Sequence, residues 1–345
     1  MRKIEFEQQA HSLYKPSIVN MLQAVELSRG RASVLSKKLD GDKLHKMSVR
    51  KSVISSNEIE GVRIKKRRGD ESLYYFAPQT KEEYLLSGYN FALEEIFDDY
   101  KYKSLTEDYI KGLRSRLVES IALDFKAQYK TKQNAICEYD AKGNFIRKVF
   151  SPSKPGDVPD LMGSLIFQFN EYMNKPYRNV LLGVFVFILD FLCIHPFDDG
   201  NGRVSRLLTT FLLVKYGYDL ERYCSLSSII LDDVNAYYSC LERSSLGWNV
   251  GNNDCSSFAR FMLSCLNKGY EKLAYIAEMG SLEAKTKEKV LKVINDSKGF
   301  ITKANIEDIL IDVSRPSIEK ALGELTKEGA IQKAQSGKYA KYYRK

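Results

Sequence analysis

His195-Pro196-Phe197-Asp198-Asp199-Gly200-Asn201-Gly202-Arg203-Val204-Ser205-Arg206 follows directly on an apolar run, Val180 to Ile194, and opens a second helical pattern over 201–216. The turn Asp199-Gly200-Asn201-Gly202 therefore sits between two predicted helices. Its glycines accept positive φ and let a ligand approach the backbone closely. The second helix keeps Leu207, Leu208, Phe211 and Leu212 on its buried face. It aims unpaired N–H groups and the positive end of its dipole into the turn, which suits an anion such as a phosphate chain.

Arg203 and Arg206 are three residues apart, on one face near the N-terminus of that helix. Two cations there oppose the helix dipole. They serve an anionic ligand or a carboxylate partner rather than the helix itself. The arginine fork takes phosphate oxygens in pairs. Asp199, with Asp198 as its rival, can give an oxygen to Mg²⁺ bridging phosphates, although single acids of this kind are more often turn residues. His195 ends the apolar run, and an unperturbed pKa near ~6.5 makes it a workable base at neutral pH. A lone histidine beside an apolar run is usually structural; the company of His195 is what marks it. Phe197 reads as packing that anchors the loop. The combination points to a nucleotide polyphosphate.

Outward from this stretch the chain is helical. Apolar spacing runs through residues 13–60, with Ser48 to Ile59 as a helix stopped at Gly61, and helices resume at 80–99 and 105–120. The cluster Lys65-Lys66-Arg67-Arg68 reads as a solvated loop. Between Gln133 and Phe150 two short β-prone runs flank the turn Asp140-Ala141-Lys142-Gly143-Asn144, a hairpin. Helices then follow at 157–174, 178–194, 201–216, 232–246 and 254–278. Residues 285–345 differ in kind, with 14 basic against 8 acidic residues. Three short helices (Lys287–Asn295, Ala304–Leu310, and one running to Lys327 behind a Ser314 cap) precede strands at Ala330–Lys333 and Tyr339–Arg344. That order is a winged helix-turn-helix, which can meet DNA or protein.

A length of 345 residues allows two or three domains, and the net charge of +9 fits a polyanionic ligand as well as an ordinary basic protein. The six cysteines are scattered without Cys-x-x-Cys spacing, and only three histidines are present. A zinc site is therefore not expected, and the thiols suit a reducing compartment. No apolar segment near Met1 reads as a secretory signal. The run Val180–Ile194, 15 residues interrupted by Asp190, is too short to span a bilayer. A cytoplasmic protein without membrane attachment is expected.

The pattern His-x-Phe-x-Asp-Gly-Asn-Gly-Arg-x-x-Arg resembles the signature of the Fic family, with no departure at any fixed position. Residues 104–278 resemble its helical core, and Ser151–Leu165 the loop and helix after the family's hairpin flap. The related Doc-type kinases carry lysine where this chain has Gly202. The resemblance implies a mainly α fold: a Fic-type helical core at 104–278 with a short β-hairpin flap, an N-terminal helical region at 1–103, and a winged helix at 279–345. It implies AMP transfer from Mg·ATP to a Ser, Thr or Tyr hydroxyl of a protein, with His195 as base and Asp199 holding Mg²⁺. Gly200, Asn201 and Gly202 would cradle the phosphates. Arg203 would neutralise the leaving pyrophosphate, and Arg206 would hold the γ-phosphate. The hairpin at 135–150 would dock the target by strand addition.

Ser56, Glu60 and Gly61 fit the family's inhibitory-helix motif, (Ser/Thr)-x-x-x-Glu-(Gly/Asn), within a helix at about 48–61. On that resemblance Glu60 would pair with Arg206 and deny it to ATP. Three other readings remain open: Glu60 orienting water for removal of AMP from a modified target, a DNA-binding regulator with a nucleotide-sensing core, and UTP or GTP as donor. Self-modification is plausible with 22 tyrosines, and a homodimer is admitted.

Overall fold

The computed structural model describes residues 2–63, 78–119, 125–139, 144–334 and 340–344. The basic cluster Lys65–Arg68, most of the hairpin turn (140–143) and Ser336–Lys338 lie outside them. The described chain is mainly helical. The first segment holds α1 (Phe6–Ser12), α2 (Pro16–Leu35), α3 (Gly41–Ile59), α4 (Lys81–Asp99) and α5 (Glu107–Glu119). A hairpin of β1 (Ile136–Tyr139) and β2 (Phe145–Phe150) leads to α6 (Val158–Met173), α7 (Val180–Ile194) and α8 (Asn201–Lys215). Next come α9 (Leu226–Asp232), α10 (Val234–Ser245) and α11 (Ser256–Ser281). The remainder is α12 (Thr286–Asp296), β3 (Ile301–Thr302), α13 (Lys303–Ile309), α14 (Arg315–Lys327), β4 (Ile331–Ala334) and β5 (Lys341–Arg344).

Two compact units result: Met1–Val25 with His45–Gly269, and Glu26–Leu44 with Tyr270–Lys345. Helices α1 and α4 thus belong to the same unit as the segment from α5 to α10. At its centre lies α7, apolar on all sides, with every residue from Leu181 to Ile194 buried. A helix of that kind has to be surrounded, and α1, α6, α8 and α10 surround it. Asn179 starts it, its side chain accepting from Leu182 N at 3.0 Å. Pro196 ends it, since the residue before a proline is steered away from helical backbone. That residue, His195, takes φ 52° and ψ 62°. Among the described residues no helix is long and apolar enough to cross a membrane.

Asp190 is the one charged residue inside α7, and it is fully buried. Trp248 Nε1 donates to its Oδ1 at 2.6 Å, Gln9 Nε2 to its Oδ2 at 3.3 Å, and the Arg2 guanidinium lies 3.6 Å away. Arg2 also stacks on the Trp248 ring at 4.3 Å and donates to the Trp248 carbonyl. Burial pushes the Asp190 carboxyl up, and Arg2 opposes the rise. The network ties the start of the chain to the central helix.

In the second unit α12, α13 and α14 pack on an antiparallel sheet of order β3–β5–β4. Ile301 and Lys333 flank Tyr342 from either side. Ser314 caps α14, accepting from Ser317 N at 3.4 Å. Helix α9 and strand β3 had no sequence signal: one is a seven-residue helix started by the Ser225 hydroxyl, the other two residues long. Helix α3 also begins seven residues before the predicted Ser48.

Arg2→Ala leaves the Asp190 carboxylate buried without its cation, an arrangement that costs about 3 kcal/mol. Urea denaturation should show that loss, and adding Asp190→Asn should recover part of it. A loss below ~1 kcal/mol would show the pair to be unimportant.

Candidate active site

The left-handed turn at His195 places the imidazole over the loop and exposes the Ile194 carbonyl at the end of α7. Two donors satisfy that carbonyl, Lys130 Nζ at 3.1 Å and Ser153 Oγ at 2.8 Å. Lys130 N also donates to the Pro196 carbonyl at 2.8 Å. Burial pushes the Lys130 ammonium down to about 8, with Asp198 opposing. His195 Nδ1 lies 3.2 Å from the Leu192 carbonyl. A carbonyl only accepts, so this contact puts the proton on Nδ1 and leaves the Nε2 lone pair free. Burial pushes the imidazole down to about 4, reinforced by Lys130 and opposed by the Leu192 hydrogen bond and by Glu60 and Asp199. His195 is neutral throughout the physiological range.

The loop itself is closed by Asn201. Its Oδ1 accepts from Phe197 N at 3.0 Å, and its Nδ2 donates to the Phe197 carbonyl at 2.8 Å. Phe197 is buried against Tyr129 and Phe191. The Asn201 side chain therefore braces the loop, and only its backbone faces the cradle at the start of α8. Gly200 takes φ 81°, as the turn requires. Gly202 does not: it is helical, and its missing side chain leaves room, because a Cβ there would overlap the Glu60 carboxylate.

Arg203 is 4 % exposed and reaches Asp199 Oδ2 at 3.3 Å through Nη2. Its Nε and Nη1 are buried with no hydrogen-bond partner among the described residues. Asp199 is 77 % exposed at its side chain, and Asp198 is exposed beside it. The Asp199 carbonyl accepts from Arg114 Nε on α5 at 2.8 Å. Sequence reading missed Arg114, although it stands on the buried stripe Ile110, Leu113, Leu117.

Helix α3 and the residue that follows it present a polar side chain every fourth position, Ser48, Ser52, Ser56 and Glu60, on one face. Ser48 Oγ donates to the Glu221 carbonyl at 2.6 Å, and Ser52 Oγ to Glu221 Oε2 at 3.0 Å. Glu221 is buried, which pushes its carboxyl up to about 7 against the Ser52 bond and the Leu226 and Ser227 backbone. Arg206 receives the rest of the stripe. Its Nε donates to Ser56 Oγ at 2.7 Å, and its Nη2 to the Ser56 carbonyl and Glu60 Oε1, both at 2.8 Å. Arg206 is 4 % exposed and the Glu60 side chain 31 %. Gly61, at φ 77°, turns the chain out of the helix, and Tyr238 Oη holds the Ile59 carbonyl at 2.8 Å.

The hairpin stands beside this site. Arg147 on β2 joins Glu138 on β1 to Glu242 on α10, and Phe145 and Ile146 are exposed.

Residues 104–213 match the model of the Fic/DOC family. Over these residues the chain resembles a Fic/DOC domain. A probable protein adenylyltransferase of Aquifex aeolicus is 27 % identical over 172 residues, 49 % of this chain and 48 % of that protein. The protein adenylyltransferase Fic of Drosophila willistoni is 33 % identical over 122 residues, 34 % of this chain and 21 % of its own. The chain thus spans about half or less of the curated relatives it matches. A Fic family crystal structure from Desulfovibrio desulfuricans G20 superposes over 96 % of both chains with a TM-score of 0.61 at 19 % identity, a likeness of fold.

The buried, neutral imidazole gives a direct test. In an NMR titration the His195 ring signal, assigned by its loss in His195→Ala, should stay at its neutral position from pH 8 to pH 5 and move only near 4. Because the unfolded imidazole binds protons first, at ~6.5, this group removes stability as pH falls from there toward 4. A midpoint between 6 and 7 would contradict the burial argument.

Proposed function

We propose that this chain is an autoinhibited protein adenylyltransferase, moving AMP from ATP to a Ser, Thr or Tyr hydroxyl of a target protein or of itself. The observation that carries the reading is the Arg206 guanidinium held by Ser56 and Glu60, beside an α8 N-terminus where Arg203 has buried N–H groups awaiting acceptors. The adenylyltransferase names of the relatives point the same way.

On this reading the triphosphate lies across the turn from α7 to α8, on the backbone N–H groups of Gly200, Asn201 and Gly202. His195 Nε2 takes the proton of the attacking hydroxyl. The hydroxyl oxygen bonds to the α-phosphorus, the bond from that phosphorus to the bridging oxygen breaks, and pyrophosphate leaves. Arg203 offsets the charge on the leaving group. Asp199 would hold Mg²⁺, for which one open carboxylate completed by phosphate oxygens and water is a sufficient donor set; the ion would supply further charge neutralisation. Arg206 takes the γ-phosphate only when Glu60 has left it. Target docking falls to the hairpin at 135–150, whose exposed Phe145 and Ile146 suit a passing chain.

Three functional parts follow: an inhibitory N-terminal region at 1–103, the catalytic core at 104–278 and a winged helix at 279–345. In the last, Arg315 pairs with Glu307 and Glu319, and Lys303 with Glu319. This internal neutralisation favours a protein partner for the winged helix over a DNA backbone. Removal of AMP from a modified target is the second reading, favoured by the partly exposed Glu60 carboxylate against Gly202.

Intact-mass spectrometry after incubation with Mg·ATP separates these readings. Glu60→Gly keeps two of the three Arg206 bonds and should raise AMP incorporation at least about tenfold, the worth of one charge-assisted contact. His195→Ala should abolish incorporation. Equal labelling of wild type and Glu60→Gly would remove the inhibition, and loss of AMP release in Glu60→Gly would favour the second reading.

A further inference from the structure

We infer that Arg114, on α5 outside the signature loop, is a third guanidinium of the anion site, bracing the Asp199–Gly200 cradle through Nε and offering Nη1 to the polyphosphate. The inference rests on the triphosphate reading above and adds a binding residue to it.

The geometry carries it in three steps. Arg114 is 9 % exposed, and its Nε donates to the Asp199 carbonyl at 2.8 Å. Its Nη1 is buried with no hydrogen-bond partner, and no carboxylate lies within ion-pair distance of it, among the described residues. A buried guanidinium N–H without an acceptor costs free energy that only a partner recovers.

The neighbours decide which partner. A Cβ on Gly200 would stand 3.2 Å from Arg114 Nε and 3.5 Å from its Cζ, so the guanidinium lies close against the residue that caps α8. Its Cζ lies 5.5 Å from the centre of the Phe125 ring. Burial holds the guanidinium below its ordinary value, Asp199 and Asp198 resist, and the charge of Arg203 adds to the depression. Arg114 and Arg203 thus carry three buried nitrogens with no hydrogen-bond partner among the described residues: Nη1 of one, Nε and Nη1 of the other. The carboxylates of Asp198 and Asp199 are exposed and neither satisfies these three buried nitrogens, which leaves them to an anion that enters with several oxygens of its own. A di- or triphosphate meets that requirement, and a monophosphate does so poorly.

The test is calorimetric titration of the full chain with Mg·ATP and with AMP, in wild type, Glu60→Gly, Arg114→Gln, Arg114→Lys and Arg203→Ala. Arg114→Gln should weaken Mg·ATP about tenfold or more and AMP less than about twofold. Arg114→Lys, with one ammonium for two duties, should lose affinity for Mg·ATP in the same selective way, so it decides the matter if the glutamine variant does not fold. Equal weakening of both nucleotides would reduce Arg114 to a brace and overturn the inference, as would unchanged affinity for Mg·ATP. Either result, with Arg203→Ala still weakening Mg·ATP, leaves the triphosphate reading standing. No binding of Mg·ATP by wild type or by Glu60→Gly defeats that reading, and Arg114 with it.

Discussion

A guanidinium buried at the end of a helix must find acceptors, and in this molecule the acceptors of Arg206 come from another helix. Ser56 gives a hydroxyl and a carbonyl, and Glu60 gives a carboxylate. The last turn of α3 is thereby held against the charge it neutralises. A ligand that offers its own anionic oxygens competes for that charge directly. On the proposed reading, inhibition and binding are alternative ways of satisfying one buried cation, and no long-range signal has to pass between them.

The competition is unequal along α3. Ser48 and Ser52 bind Glu221 rather than Arg206, so displacing Glu60 would break neither contact directly. Only the last turn, from Ser56 to the Gly61 exit, touches Arg206. Tyr238 holds the Ile59 carbonyl in that same turn. A local opening of the helix end meets the steric need at less cost than undocking the whole helix.

How much of this was legible follows residue by residue. The α7–turn–α8 unit was readable because an all-apolar run, a proline and two glycines each speak locally, and the structure keeps those bounds within two residues. Ser56, Glu60 and Gly61 were found by resemblance. The every-fourth-residue stripe that includes Ser48 and Ser52 was present in the sequence but had no visible partner, since Glu221 lies more than 160 residues away. Arg114 was legible in principle, as a cation on the apolar stripe of an amphipathic helix. What the sequence lacked was the loop that the cation faces. The Asn201 side chain closes the loop, a further role that needs the backbone of Phe197 to be seen, while its proposed place in the cradle falls to its backbone N–H.

Gly202 ties the two states together. Had it been needed for backbone conformation, it would take positive φ, as Gly200 does; it is helical instead. Its small size matters because the Glu60 carboxylate occupies the space a Cβ would fill. The same space lies over the first N–H groups of α8, where phosphate oxygens would rest. On the proposed reading one glycine serves both occupants: it admits the Glu60 carboxylate to Arg206 and, once that carboxylate has left, would admit a phosphate to the helix end. A side chain at this position would crowd the Glu60 carboxylate.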